Sequence, residues 1–266
     1  MMETLKQLRA RTGAGITDCK KALDEANGDA EKAVEILRKK GIAKAAKRCG
    51  RDATEGIIKV AVNEAGNEGY ILEVNSETDF VARNKQFQEF VDNILTIVKE
   101  QKPANLEALF ALTMNTTTVG EELENLSGVI GEKLVINRFE ILAGETVASY
   151  LHMGGNMGIL VSLDKADQKE LAYNIAMHIG AANPRYINPE DVDSAELEKE
   201  KEIYREQLIK KGKPENIIEK ILEGKISKYY GEVCLTKQEY IKDDKKKVED
   251  ILGETKVINF IRYSLA

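Results

Sequence analysis

Hydrophobic positions along the chain change their period several times. Up to Leu37 they recur at helical spacing in short bursts: Leu5 and Leu8, then Cys19, Ala22, Leu23 and Ala26, then Ala33, Val34, Ile36 and Leu37. Thr4 with Gln7 predicts a capping box at the start of the first helix, while Thr17 and Asp29 predict the starts of the second and third. Gly13-Ala14-Gly15, Asn27-Gly28 and Gly41 predict their ends. The pattern describes a three-helix bundle at 1–50 with a partly helical linker over 42–53. About 40 residues bury too little apolar area to be robust alone, so the bundle is either marginal or leans on another part of the chain.

From Ile57 the period becomes two. Residues 57–62 and 70–74 flank a glycine-bearing turn and predict a β-hairpin, and Phe87, Phe90, Val91, Ile94, Leu95 and Val98 then predict a helix packed on it. Two further helices are expected at 106–112 and 119–126 and a strand at 134–142. A second hairpin, 147–151 with 158–163, precedes a helix at 171–179. The two hairpins are copies: Gly66-Asn67-Glu68-Gly69-Tyr70-Ile71-Leu72 aligns with Gly155-Asn156-Met157-Gly158-Ile159-Leu160-Val161 at an offset of 89 residues. Between strand and helix the copies differ. Twelve residues separate Val74 from Phe87, seven separate Leu163 from Leu171, and the surplus holds Thr78-Asp79-Phe80-Val81. A phenylalanine beside a carboxylate on a projecting segment suits a wedge for a partner; the alternative is that Phe80 folds back as a helix staple, and spacing leaves both open.

Over 184–230 the pattern is again helical. Stretches at 194–211 and 214–230 are joined by Lys211-Gly212-Lys213-Pro214, a helix stop followed by a start. Leu197, Tyr204 and Leu208 are expected to face Ile217, Ile218, Ile221, Leu222 and Ile226 in an antiparallel helical hairpin inserted into the second unit. Val248, Ile251 and Leu252 then predict a short helix, and 257–265 a buried strand. The fold class is α+β. Its parts are a three-helix domain at 1–50, two related subdomains with antiparallel sheets at 51–143 and at 144–183 with 231–266, and the hairpin at 184–230.

Composition narrows the function. A chain of 266 residues, 42% hydrophobic and 32% charged with four prolines, is ordinary globular material of about two domains. The net charge of −6 argues against a dedicated nucleic-acid binder, and the longest basic stretch, 39–51, is interrupted by alanines. Cys19, Cys49 and Cys234 are widely spaced without a CxxC, which supports neither a disulfide framework nor a zinc site and fits a reducing cytoplasm. No charged-then-apolar leader and no apolar run near a membrane span's length is present, so the expectation is a soluble, unexported protein.

Chemistry is thin. His152 and His178 are the only histidines, His178 reads as a satisfied core or surface residue, and Asp79 has no carboxylate or histidine partner at short spacing. GxSxG, HExxH, P-loop and GxGxxG patterns are missing, and Gly154, Gly155 and Gly158 belong to a hairpin rather than to a helix start. Tyr70 stands alone on its strand, without the aromatic and basic interleaving of RNA-binding sheets. What remains is a protein that acts on another protein and does no covalent chemistry of its own.

Four stretches then carry a resemblance: TGAGITDCKKAL at 12–23, ANGDAEKAVEILRKKG at 26–41, ILEVNSETDFVARNKQF at 71–87 and IAMHIGAANPRYI at 175–187. In this order they resemble the elongation factor Ts family, the guanine-nucleotide exchange factors of elongation factor Tu in bacterial-type translation. The resemblance implies a UBA-like amino-terminal domain, two related core subdomains and an inserted coiled-coil hairpin. It implies that Thr78, Asp79, Phe80 and Val81 insert into the partner's GTPase domain and disturb its magnesium site. Arg11, Thr12, Gly13, Ala14, Gly15, Asp18 and Cys19 resemble the family's amino-terminal contact with that domain, and His152, in YLHMGG, a partner-facing hairpin of the second subdomain. GDP, GTP and Mg2+ would be bound by the partner, with no cofactor or metal here, no membrane and no direct nucleic-acid contact. Self-association, as a homodimer or a two-to-two complex, would use the helical hairpin. The chain departs from the family pattern at Ile16-Thr17, where many members have methionines, and past Ala266, where some carry a further helix. The reading from another class is a non-catalytic adaptor whose bundle captures helices or nascent chains.

Overall fold

The computed structural model describes residues 2–12, 14–46, 48 and 50–265; Gly13 and Cys49 lie outside them. Helices α1 (Met2–Thr12), α2 (Ile16–Glu25) and α3 (Ala30–Ala46) close on a small core of Leu8, Cys19, Ala22, Leu23, Ala26 and Ala33. Asp29 starts α3 as expected, its Oδ1 accepting from the N–H groups of Glu31 and Lys32 at 3.0 and 3.1 Å. The other two starts differ. α1 is already helical at Met2, so Thr4 lies inside it, and α2 begins behind Gly15, whose carbonyl accepts from Cys19 N–H at 2.9 Å, so Thr17 lies inside its first turn. Gly41 does not end α3 either. It lies inside α3, where that helix crosses a later one, α7 (Val119–Ile130), at a distance that requires glycine on the α7 side, at Gly128.

The core begins with the hairpin β1 (Glu55–Val62) and β2 (Glu68–Ser76), followed by the single turn α4 (Asp79–Ala82), α5 (Lys85–Gln101) and α6 (Leu106–Ala111). A two-rung ribbon of β3 (Thr113–Met114) and β4 (Thr117–Thr118) leads to α7 and then to β5 (Leu134–Ala143), which pairs antiparallel with β2. A Cβ on Gly128 of α7 would fall 2.6 Å from Gly41 Cα, so the bundle does lean on the core, through this crossing and the Arg38–Glu121 ion pair. The second half repeats the plan with β6 (Thr146–His152), β7 (Met157–Leu163) and α8 (Lys169–Ala182). The insertion α9 (Ser194–Lys210) and α10 (Glu215–Val233) follows, then the ribbon β8 (Glu239–Tyr240) and β9 (Asp243–Lys247), α11 (Val248–Leu252) and β10 (Val257–Ser264).

Sheet orders are β1-β2-β5 and β10-β7-β6, all pairs antiparallel. The sheets pack face to face through Ile58, Ile71 and Leu142 against Leu160, Ile261 and Tyr263. Outside them, α5, α6 and α7 cover Tyr70, Leu72 and Val74, and α8 covers Ile159, Val161 and Leu163. β2 and β7 are thus buried on both faces, with uninterrupted apolar stretches at 70–72 and 159–161 and the polar side chains of Glu73 and Ser162 buried just beyond them. The repeat is carried into the packing. A Cβ on Gly69 would strike Val147 and Leu160 at 2.8 and 3.0 Å; one on Gly158 would strike Ile58 and Ile71 at 2.6 and 3.3 Å. The 89-residue offset relates Gly69 to Gly158, Ile58 to Val147 and Ile71 to Leu160. Each half has therefore kept the same glycine clear for the same two side chains of the other.

Two sequence expectations are corrected here. Ile217 does not line the α9–α10 seam but is 39% exposed, because its neighbour Ile218 takes the inward position and successive helical residues point about 100° apart. β10 is half-buried: it is an edge strand, and Ile258 and Asn259 face water while Val257, Ile261 and Tyr263 face inward.

A candidate partner-binding surface

The surplus chain after β2 forms a braced turn. Ser76 Oγ donates to the Thr78 carbonyl at 2.9 Å. Glu77 points back toward the α7–β5 loop, accepting from Lys133 N–H at 2.6 Å and from Arg51 Nη1 on both oxygens at 3.1 Å. The Lys133 amide, aided by Arg51, holds this carboxyl below the usual carboxylate range. Thr78 is held by one carboxylate, donating from N to Glu132 Oε2 at 3.0 Å and from Oγ1 to Glu132 Oε1 at 2.7 Å. On α4 itself Val81 turns into the core beside Phe87, whereas Phe80 is 77% exposed and Asp79 pairs with Arg83 at 3.0 Å. Asn84 caps α5, and Gln88 donates to the Ala82 carbonyl at 3.0 Å. The staple is therefore Val81. Phe80 is left pointing into water.

The amino-terminal loop is self-braced too. Arg11 forms a bidentate pair with Glu31 at 2.7 and 3.2 Å, and Thr12 Oγ1 donates to the Leu8 carbonyl at 2.7 Å and accepts from Ala14 N–H at 3.3 Å. Arg11, Gly15 and Asp18 are exposed. Cys19 is wholly buried and donates from Sγ to the Ala14 carbonyl at 3.5 Å, so it shapes the loop from beneath instead of presenting a surface. Gly13 lies outside the described residues. Between this loop and α7 runs a cleft of about 460 Å³, with Gln86 of α5 also on its wall.

The β6–β7 tip is the third region. His152 is exposed, its Nδ1 2.8 Å from Tyr150 Oη, and the neighbouring Leu151 and Met153 are exposed as well, Met153 by 79%. Gly155 turns the chain at φ 95°, and a Cβ there would come within 2.6 Å of Ile57 Cγ1, so the tip is pressed on β1. α4 packs on β1 too, which brings the Phe80 turn and the His152 tip to the same edge strand. His152 stands out in the sequence, but Leu151 and Met153 do not, their only signal being an apolar pair just before a glycine turn. Glu132 escapes a sequence reading as well, since no local pattern links positions 78 and 132.

His178 is a core residue. It is fully buried, accepts from Ile241 N–H at Nδ1 at 3.3 Å and bonds Gln238 Oε1 through Nε2 at 3.0 Å, and burial pushes its pKa down. Among the described residues no group of three or more His, Cys, Asp or Glu side chains is arranged to hold a metal, and no helix is long and apolar enough to cross a membrane.

Comparison with known proteins gives concordant matches. A family model described as Elongation factor TS matches residues 77–266. Elongation factor Ts of a Nitratiruptor species is 46% identical over 278 residues, an alignment that takes in 98% of this chain and 91% of that protein.

Proposed function

The chain belongs to the elongation factor Ts family of translation elongation factors, and on that premise we propose that it binds elongation factor Tu loaded with GDP and speeds GDP release, so that GTP can rebind. The observation that carries the reading is Phe80, exposed at the tip of a turn whose two sides are tied down. An apolar ring held in water by a braced backbone is prepared to enter a pocket elsewhere.

Exchange demands that the factor prefer the empty partner over the loaded one, and linkage makes the effect reciprocal. A thousandfold to ten-thousandfold loosening of GDP needs about 4 to 5.5 kcal/mol. Burying Phe80 supplies only about 1.5 to 3 kcal/mol. The remainder comes from strain at the partner's magnesium site, where Asp79 reorders ligands and waters, and from contacts by the Arg11–Gly15 loop and the His152 tip. Nucleotide and magnesium are the partner's in this reading, and the work is done in the cytoplasm, where translation runs.

The test is labelled GDP release from purified elongation factor Tu. Catalytic amounts of this protein are expected to quicken release. No acceleration at any ratio would leave a binding protein without exchange activity.

A further inference from the structure

We propose that Glu132 is a positioning residue: it aims the Phe80 turn and joins that turn to the amino-terminal bundle as one rigid unit. The proposal rests on the exchange reading above. Its geometry is a continuous chain of contacts. Arg48 Nη1, just past α3, donates to the Ser127 carbonyl at 3.0 Å; Ser127 Oγ donates to the Glu132 carbonyl at 2.6 Å; and the Glu132 carboxylate takes both donors of Thr78. Gly131 ends α7 in a left-handed conformation, φ 89°, which reverses the backbone and lays Glu132 under the turn. One step along α7 from Ser127, Gly128 is where the bundle docks, through Gly41 of α3. The Phe80 turn and the amino-terminal bundle therefore meet at the carboxyl end of α7.

Glu132 is suited to orientation more than to stability. Among the described residues, the hydrogen bonds of its side chain go to Thr78 and to no strand or helix of the core. Thr78, which precedes α4, spends its hydroxyl on Glu132 and does not cap the turn. Without that carboxylate a four-residue turn tipped by an exposed ring has other places to put the ring, and only the fraction of molecules with Phe80 aimed outward is competent. Binding through the other surfaces is less affected, so the loss falls on the maximal rate.

The experiment uses the full chain with Glu132→Ala, Glu132→Gln, Thr78→Val and Phe80→Ala, each titrated against the GTPase loaded with labelled GDP. Amide hydrogen exchange over 78–83 and thermal melting are followed in parallel. Glu132→Ala is expected to lower the maximal release rate about tenfold, equivalent to about 1.4 kcal/mol, to move the half-saturating concentration less than about threefold, and to quicken amide exchange in the turn at unchanged melting. Thr78→Val, which removes the hydroxyl alone, should cost about threefold. Glu132→Gln keeps an acceptor for the Thr78 amide and should stay within about twofold of the unmodified protein. If Glu132→Ala exchanges normally while Phe80→Ala does not, the positioning role is wrong and the exchange reading stands. If Glu132→Ala lowers melting and quickens exchange throughout the core, Glu132 is a support of the fold and the proposal fails. If Phe80→Ala also leaves release untouched, the exchange reading itself falls and takes this role with it.

Discussion

Phe80 and Val81 are adjacent, and the structure gives them opposite tasks. Phe80→Ala removes a ring that touches water, so melting should hardly move, whereas GDP release should slow about ten- to a hundredfold, the rate equivalent of about 1.5 to 3 kcal/mol. Val81→Ala leaves a gap beside Phe87 and should cost about 1 to 3 kcal/mol in stability by chemical unfolding. Reversal of the two outcomes would make Phe80 the anchor and Val81 the contact. His178 predicts a pH dependence. Its folded pKa lies below the unfolded value of about 6.5, so the unfolded chain binds the extra proton. The stability it contributes is complete above about pH 6.5 and is lost as pH falls from there through the folded pKa. Scanning calorimetry between pH 7 and 5 should record a falling midpoint whose slope is reduced in His178→Gln; an equal slope in both would assign it to other groups. At this scale the sequence was readable where chemistry is local: Asp29 starts α3 because its acceptor meets amides two and three residues on. Glu132 was not, because its partner Thr78 is brought to it by a strand pairing, β2 with β5, that no spacing announces.

Elements were readable where one period persisted. The six apolar positions of α5 all point into the core, and both expected hairpins form. Reading failed where a residue serves two ends. Glycine stops helices and also lets helices cross: Gly41 lies within α3 instead of ending it, and Gly128 of α7 is the glycine that the crossing there requires. The α9–α10 hairpin was found from its seam, but its root was not. Glu196 accepts from Tyr186, Tyr229 and Arg185, and its carboxyl is held down to about 2, the Tyr229 hydroxyl contributing most. Tyr186 bridges to Cys234, and Val192, Tyr229 and Val233 pack around the joint. Two excisions should therefore differ. Replacing 206–223 by a short flexible linker removes the tip and keeps the root; core melting and GDP exchange should survive, with a smaller particle in sedimentation wherever the intact protein self-associates. Replacing 188–230 takes Glu196 and Tyr229 as well and should lower melting. Exchange lost in the shorter excision at native melting would make the tip part of the partner-opening surface.

For the whole molecule, the internal copy was visible as sequence, while its consequence, two sheets meeting through Gly69 and Gly158, was not. Short apolar stretches at 70–72 in β2 and 159–161 in β7 are buried on both faces, and neither says against what. The bundle illustrates the same gap: its small core predicts that it needs support, and only the structure locates that support on α7. Removing residues 1–50 should leave both sheets and their helices folded, since among the described residues none of their strands pairs with it. It should uncover the α7 face and slow exchange, because the Arg11–Gly15 loop leaves with it. Release assays and circular dichroism on the truncated protein test both halves, and full activity would remove that loop from the partner surface.

β10 closes the second sheet by pairing Val257 with Leu163, although the helical hairpin is translated between them. At about 5–20 residues per second the roughly 90 intervening residues take about 5–20 s to appear. Throughout that interval β7 has a bare edge, and the inter-sheet face around Leu160 lacks the cover of Ile261 and Tyr263. Ribosome-bound chains arrested before residue 257 should accordingly be cut by protease in the second subdomain and protected in the first, with protection arriving once β10 has cleared the exit tunnel. A protein made to serve the ribosome thus keeps its own second half vulnerable until β10 emerges.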